Sequence, residues 1–463
     1  MLFNSFTYAI FLIIIFGTYW LLPNKWRKYF LLLSSYFFYG IWKIEGLLLL
    51  LGFTIVNWLL GLLLNSFHGR KRKGILCVGI FLNIAILCVF KYYNFFLDNI
   101  DVLWDTNHWL FANFKTFLPL GISFFVFEAI SFLVDTYKGE NTLTEFQSFA
   151  LYISFFPHLI AGPIVRVKQL GPQLLTDKKF SLAAILVGLD LLCIGAFKKV
   201  VLADNLASLV DASFKTSHSS AWDIWITGGL FSMQIYLDFA GYTDMARGSA
   251  KLLDYDLPIN FDFPYVSRSI GEFWRRWHIT LSNWLRDYLY IPLGGSRAGQ
   301  NRTYINLIIT MGLGGLWHGA GWTYIIWGFY QGVALVVHRV FASSPKAKSL
   351  FEQTLWGRFS AWMLTYLTVI IGWIIFRSHD VFQLSSWMQT LLTPTAYIQS
   401  SQYWFWGVMV IVALIVLKVL FEFRQQGYQS NKINKFRPIL YITVLFSLAL
   451  FAPQSQQFIY FQF

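Results

Sequence analysis

The sequence predicts an all-α, polytopic membrane protein with about 10 to 13 transmembrane helices, plus re-entrant and interfacial amphipathic helices, around a polar centre. Three observations predict it. The 463 residues are 56% hydrophobic and 20% aromatic but only 13% charged, whereas a soluble domain carries about 25% charged residues because its surface faces water. Apolar stretches long enough for a bilayer recur along the chain, among them 8–22, 47–64, 75–90, 182–201, 404–421 and 439–451. A polar, histidine-bearing region between residues 230 and 330 interrupts them.

The formal charge of +13 would suggest nucleic acid in a soluble chain. In a membrane chain it reads as Lys and Arg in cytoplasmic loops and contact with anionic lipid, so no nucleic-acid partner is expected. Cys77, Cys88 and Cys193 lie in or beside apolar runs, with neither CxxC spacing nor histidine neighbours. They read as small buried hydrophobes, which excludes a disulfide scaffold or a cysteine-type zinc site.

The first apolar run has no basic segment before it and no small-residue cleavage site after it, so it reads as a retained first helix rather than a signal peptide. It ends at Pro23, followed by Lys25, Arg27 and Lys28. A second span, 29–42, turns over near 43–45, and a third ends at Arg70, Lys71, Arg72 and Lys73. Placing both basic loops in the cytoplasm puts the N-terminus outside. The loop expected over 94–113 agrees, since it holds Asp98, Asp101 and Asp105 and no Lys or Arg.

Further spans are expected near 117–134, 147–163, 182–201, 224–246, 303–342 (a pair or a broken helix), 359–376, 404–422 and 438–451. Pro157, Gly162 and Pro163 interrupt "FFPHLIAGPIV", which makes that piece a re-entrant candidate. No internal repeat, low-complexity tail or soluble domain is evident, and the absent repeat disfavours many secondary transporters. The expected organisation is one integral membrane domain, 1–463. Its parts are N-terminal helices (1–115), a core with the two histidines discussed below (116–342), and C-terminal helices (343–463).

The stretch 261–302 is too charged to span lipid and too aromatic for an ordinary loop. Read as one helix, "FWRRWHITLSNWLRDYLY" puts Trp274, Trp277, Leu281, Trp284, Leu285 and Tyr288 on one face. Arg275, Arg276, Asn283, Arg286 and Asp287 take the other, with His278 at the boundary. Such a helix lies at the interface or dips into a polar cavity. It is either a plain anchor on anionic lipid or a site whose arginine forks hold an anionic acyl carrier or phosphate.

In "MGLGGLWHGAGWTYIIWG", His318 sits among Gly312, Gly314, Gly315, Gly319 and Gly321. Each interior glycine disfavours a helix by about 1 kcal/mol relative to Ala, so this density implies a break or a close backbone approach. An ionisable residue there is a functional candidate, the alternative being a core histidine satisfied by a carbonyl. An imidazole kept neutral by burial suits proton abstraction. Asp238 and Asp244 are the nearest intramembrane carboxylates in sequence, and six residues apart they point to different faces of a helix. Pairing with nearby arginines is their structural alternative.

His68, His108, His218 and His379 fall in expected loops, His338 at a helix end, and His158 between two prolines carries no clear reading. No metal site is expected, because no ligand spacing such as H-E-x-x-H occurs. The absence of GxSxG and of a P-loop argues against a serine hydrolase and a nucleotide-driven pump.

"SSYFFYGIW", "LPLGISFFVFEAISFLVDTYKG", "FFPHLIAGPIVR", "IYLDFAGYTDMARGSAKLL", "FWRRWHITLSNWLRDYLYIPLGG" and "GLWHGAGWTYIIWG" occur in the order seen in the membrane-bound O-acyltransferases, and the chain resembles that family over nearly its whole length. Within the family, "RDYLYIPLGGSR" looks like the bacterial branch that acetylates exported polysaccharides such as alginate, with the teichoic acid D-alanyltransferases as relatives. The resemblance implies a central polar funnel, a catalytic histidine at His318 and an accompanying one at His278. Arg275, Arg276, Asn283, Asp238 and Trp317 are the candidates for positioning donor or acceptor.

The resemblance further implies acetyl-CoA or another acyl thioester as donor substrate, with no tightly bound cofactor. It implies a polysaccharide acceptor, extracytoplasmic acetyl-transfer partners and a bacterial cytoplasmic membrane location. A D-alanyl or peptidoglycan O-acyltransferase is the nearest alternative. A proton-coupled transporter using Asp238, Asp244 and His318, or a scaffold recruiting a soluble transferase, are the alternatives of other classes.

Overall fold

The computed structural model describes residues 3–104, 117–141, 143–216, 220–297, 299–393, 405, 408–409, 411–412, 415 and 433–451. Every regular element among them is helical. The chain divides into two compact units, one built mainly from Met1–Ala196 with Tyr242–Pro258, the other from Phe197–Gly241 with Ile259–Ile459.

The first unit contains α1 (Phe6–Leu21), α2 (Asn24–Gly40), α3 (Ile44–Ser66), α4 (Gly69–Leu87), α5 (Tyr93–Trp104), α6 (Ile122–Lys138), α7 (Phe146–Ser154), α8 (Val167–Leu174) and α9 (Leu182–Ala196). Ser5 caps α1, its hydroxyl accepting from the Tyr8 amide at 3.2 Å. The basic residues Lys25, Arg27 and Lys28 sit in the first turns of α2, and Arg70 to Lys73 in the first turn of α4. A π-helical turn, Cys88–Tyr92, joins α4 to α5. The loop expected from residue 94 is therefore helical as far as Trp104. Asp105 and the rest of that loop lie outside the described residues, as do His108 and His218.

Polar pairs sit inside this unit. Asn83 Nδ2 donates to Asn57 Oδ1 at 2.7 Å and clamps α4 to α3, an interhelical bond worth about 0.6–2 kcal/mol in a bilayer. The expected span over 147–163 is not one helix, because α7 stops at Ser154. Residues 155–166 continue as buried, non-helical chain. Glu128 on α6 ties that chain down: its Oε1 accepts from the Val165 amide at 3.1 Å and lies 3.1 Å from His158 Nδ1. Irregular backbone at membrane depth survives only where protein buries it in this way.

The second unit opens with a π-helical turn, Phe197–Ala203, then α10 (Asp204–Lys215) and α11 (Ala221–Leu252), whose residues from Tyr242 onward belong to the first unit. There follow α12 (Ile270–Arg276), α13 (Ile279–Leu285), α14 (Gln300–His318), α15 (Trp322–Ala342), α16 (Pro345–Glu352), α17 (Leu355–Arg377), α18 (Val381–Leu392) and α19 (Ile433–Phe451). The expected span over 404–422 lies mostly outside the described residues.

The expected pair over 303–342 is the α14–α15 hairpin. Gly312, Gly314 and Gly315 do not break α14; they let α15 close on it. A Cβ on Gly328 would stand 2.5 Å from the Met311 carbonyl oxygen and 3.0 Å from Gly315 Cα, and one on Gly315 would stand 2.3 Å from the Tyr324 carbonyl oxygen. Small residues at such crossings let backbones approach and gain dispersion where no hydrophobic effect is available.

Four helical stretches among the described residues are long and apolar enough to cross a membrane: Ile44–Ser66, Gly69–Ile100, Trp322–Ala342 and Leu355–Arg377. Phe6–Leu21 and Arg437–Phe451 are shorter apolar helices. One expectation about composition is corrected. Cys77 is exposed and Cys88 and Cys193 are only half-buried, so they lie on the flanks of their helices and not in the core.

Candidate functional site

The residues of interest in the 270–318 region all belong to the second unit. His318 is the last residue of α14, and Gly319 and Gly321 run extended from it into α15. The turn is tight because the Tyr324 ring covers Gly319, where a Cβ would fall 2.2 Å from Tyr324 Cε2. His318 is 5% exposed, and aromatic rings wall it. Trp317 lies 4.9 Å away between centroids, Trp327 5.0 Å at 89° and Phe376 5.4 Å at 82°. Trp327 in turn stacks on Trp373 at 6.2 Å. A proton taken up by His318 would sit at the negative end of the α14 dipole.

His278 is set differently. The single helix expected over 273–290 is broken here: α12 ends at Arg276, Trp277 is extended, and His278 takes a left-handed conformation (φ 40°, ψ 56°) before α13 begins. A non-glycine residue in that region is strained and must be held by its surroundings. The holders lie in 260–262. The Ile279 amide donates to the Asn260 carbonyl at 2.9 Å, and the Asp262 amide to the Arg276 carbonyl at 3.0 Å. Asn260 Oδ1 then meets His278 Nδ1 at 3.1 Å, the Thr280 amide at 3.2 Å and the Thr280 hydroxyl at 2.8 Å. His278 is fully buried, and burial pushes its imidazole down to about 3.

The structure brings His278 and His318 to the same indole. The Trp317 ring centroid is 6.2 Å from the His278 ring and 4.9 Å from the His318 ring. The apolar face expected for 273–290 is largely buried despite the break: Trp274, Trp277, Leu281, Trp284 and Leu285 are all interior. Trp274 Nε1 also donates to Gln331 Oε1 at 3.2 Å.

The remaining candidates separate. Arg275 is exposed, on the side of α12 where Gly271 and His338 come together. Arg276 faces inward instead of outward, with Nη1 3.1 Å from Asp262 Oδ2 and Nε 3.0 Å from Glu272 Oε1. It staples α12 to the 260–262 segment. Asn283 is half-buried on α13.

Asp238 pairs with a lysine. Lys199 Nζ lies 3.1 Å from Asp238 Oδ2 and 2.7 Å from Asp204 Oδ1, all three side chains being almost fully buried. Asp244 meets Arg247 at 3.4 Å. The residues that pattern-reading missed are Asn260, Thr280 and Lys199. The only sequence signals were a lone amide in the apolar "PINF" and a charge inside "FKKVV".

The family model described as membrane-bound O-acyltransferase matches residues 34–376, which include every residue of the site. The probable alginate O-acetylase AlgI of Pseudomonas aeruginosa is 39% identical, over 82% of this chain and 73% of its own. The peptidoglycan O-acetyltransferase of Helicobacter pylori is 39% identical, over 78% of this chain and 72% of its own. The teichoic acid D-alanyltransferase of Streptococcus thermophilus is 31% identical, over 56% of this chain and 68% of its own. The chain is a membrane-embedded acyltransferase and belongs to the membrane-bound O-acyltransferase family.

Proposed function

We propose that the protein is an O-acetyltransferase of a bacterial cytoplasmic membrane. It passes an acetyl group from a cytoplasmic thioester, acetyl-CoA or another acyl thioester, to hydroxyls of an exported polysaccharide. The transfer is direct or through an extracytoplasmic partner protein that binds the polymer. The basic first turns of α2 and α4 argue for an N-terminus outside the cytoplasm.

The observation that carries the reading is the meeting of two buried imidazoles at one indole, with one of them ending a helix against a glycine linker. In this reading His318 removes the proton as the hydroxyl oxygen bonds to the thioester carbonyl carbon. The C–S bond then breaks and the thiolate leaves with that proton, giving an ester and a thiol. His278 and Asn283 orient the reactants. Trp317 borders both rings, and Arg275, exposed on α12, is placed to meet an anionic donor. Arg276 and Asp238 act through structure, since each is held in a charge pair.

The test is ester-bound acetate on secreted polymer from cells carrying His318→Ala or His278→Ala, with the membrane level of each variant measured. His318→Ala should lower acetate by about 10²–10⁴-fold, the usual contribution of a general base, and His278→Ala by less. Normal acetylation with failed polymer export would overturn the reading in favour of a transporter. Peptidoglycan is the second acceptor to assay, because one relative bears that name. The polymer that loses its ester identifies the acceptor.

A further inference from the structure

Asn260 lies 18 residues before His278, and its side-chain oxygen collects three groups at once. One of them settles the chemistry of the others. The Thr280 backbone N–H can only donate, so the amide atom facing it is the oxygen and not the nitrogen. An amide oxygen can only accept, so His278 Nδ1, 3.1 Å away, carries a hydrogen. The ring is buried, with Phe239 edge-on at 4.8 Å and Phe261 at 6.4 Å between centroids. Such surroundings keep it neutral. A neutral imidazole with its hydrogen on Nδ1 presents a lone pair at Nε2. Asn260 holds this orientation although its own NH2 group is buried without a hydrogen-bond partner among the described residues. A group left so usually costs about 1–3 kcal/mol, and retaining it points to a use for the oxygen.

We infer that Asn260 is a positioning residue that locks His278 in the Nδ1–H tautomer, so that Nε2 accepts a hydrogen bond from the acyl acceptor's hydroxyl and has no hydrogen to give to the thioester carbonyl. This rests on the proposed transfer centre and deepens it. His278 then works on the sugar side of the reaction, aligning the O–H whose proton goes to His318. The site selects for a hydroxyl donor at that point and leaves stabilisation of the carbonyl oxygen to other groups. Thr280 completes the device, since its amide and hydroxyl hold the Asn260 oxygen in place.

The experiment is 15N NMR of the full chain labelled at histidine and held in lipid nanodiscs, with the His278 signals assigned by their loss in His278→Ala. The expected spectrum has a protonated Nδ1 and an unprotonated Nε2. Asn260→Asp keeps an acceptor facing Nδ1 and should keep both the tautomer and acetate transfer within a few-fold of the parent. Asn260→Leu should release the ring to the Nε2–H form and lower transfer by about 10–100-fold, the scale on which partners that orient a functional imidazole act.

An Nε2–H signal in the parent protein overturns the inference outright, and so does an unchanged tautomer in Asn260→Leu. Should that variant fail to fold, the parent and Asn260→Asp spectra still decide. The expected tautomer together with normal acetylation by His278→Ala would instead overturn the transfer role of the pair while leaving the Asn260 lock standing.

Discussion

The two histidines are buried in one unit and held by opposite means. His318 is held by shape: a helix ends on it, a glycine linker turns beside it, and Trp317, Trp327 and Phe376 wall its ring. His278 is held by hydrogen bonds: its strained backbone and its ring are fixed from Asn260, Asp262 and Thr280. Aromatic walls exclude water but do not by themselves dictate which nitrogen of an imidazole carries the hydrogen. A committed acceptor such as Asn260 Oδ1 decides which nitrogen carries the hydrogen. In the proposed reaction, that difference suits a base that changes protonation state beside a neighbour that does not.

Four changes would break or sharpen that contrast. The largest effect is expected behind the His278 wall. Asp238 precedes Phe239, whose ring meets His278, and Asp238 is paired with Lys199. Lys199→Met leaves Asp204 and Asp238 buried without their cation, which typically costs about 3–5 kcal/mol. Thermal unfolding in detergent should show the loss. Activity normalised to folded protein should fall much less, whereas a direct role for Asp238 would make it fall further.

Gly328→Leu attacks the His318 setting. Its side chain would drive into the Met311 carbonyl and the Gly312 and Gly315 backbone, an overpacking cost of about 1–3 kcal/mol or more. Activity and thermal stability should fall together, and activity kept at full stability would show that the hairpin does not position His318.

The third test is acid. The native imidazole of His278 is held at about 3 against an ordinary value of 6.5. Below 6.5 the unfolded chain takes up a proton that the native site refuses, so native stability is complete above 6.5 and declines as the pH falls toward 3. Unfolding midpoints at pH 7.5 and 5.5 should therefore drop more in the parent than in His278→Gln. Equal drops would mean that His278 is not the group responsible.

The smallest effect is expected for Thr280→Val. It removes one of the three hydrogen bonds to Asn260 and keeps the backbone donor, costing about 0.5–1.5 kcal/mol. The His278 tautomer should survive that change, and its loss would show that the hydroxyl, not the amide, orients Asn260.

The hairpin was the most legible part. Glycines spaced along 312–328 announce a close backbone approach, and α14 and α15 meet there at contact distance. The 273–290 stretch was half legible. Its apolar face is buried as its period predicts, yet periodicity cannot see that Asn260 and Asp262 break the helix from 18 and 14 residues away. The arginines misled for the same reason. Arg276 resembles Arg275 in sequence, but only the fold supplies Asp262, which joins the local i,i+4 partner Glu272 in holding it.

Composition and apolar length by themselves determined that this chain is helical and membrane-embedded, because burial in lipid and backbone satisfaction act locally on each segment, while the family resemblance singled out the two histidines. Tertiary structure alone decided that both imidazoles meet Trp317, that Asp238 answers to Lys199, and that Asn260 governs His278. Hydrogen-bond partners and charge pairs join residues far apart in the chain, and no local pattern encodes which distant group arrives.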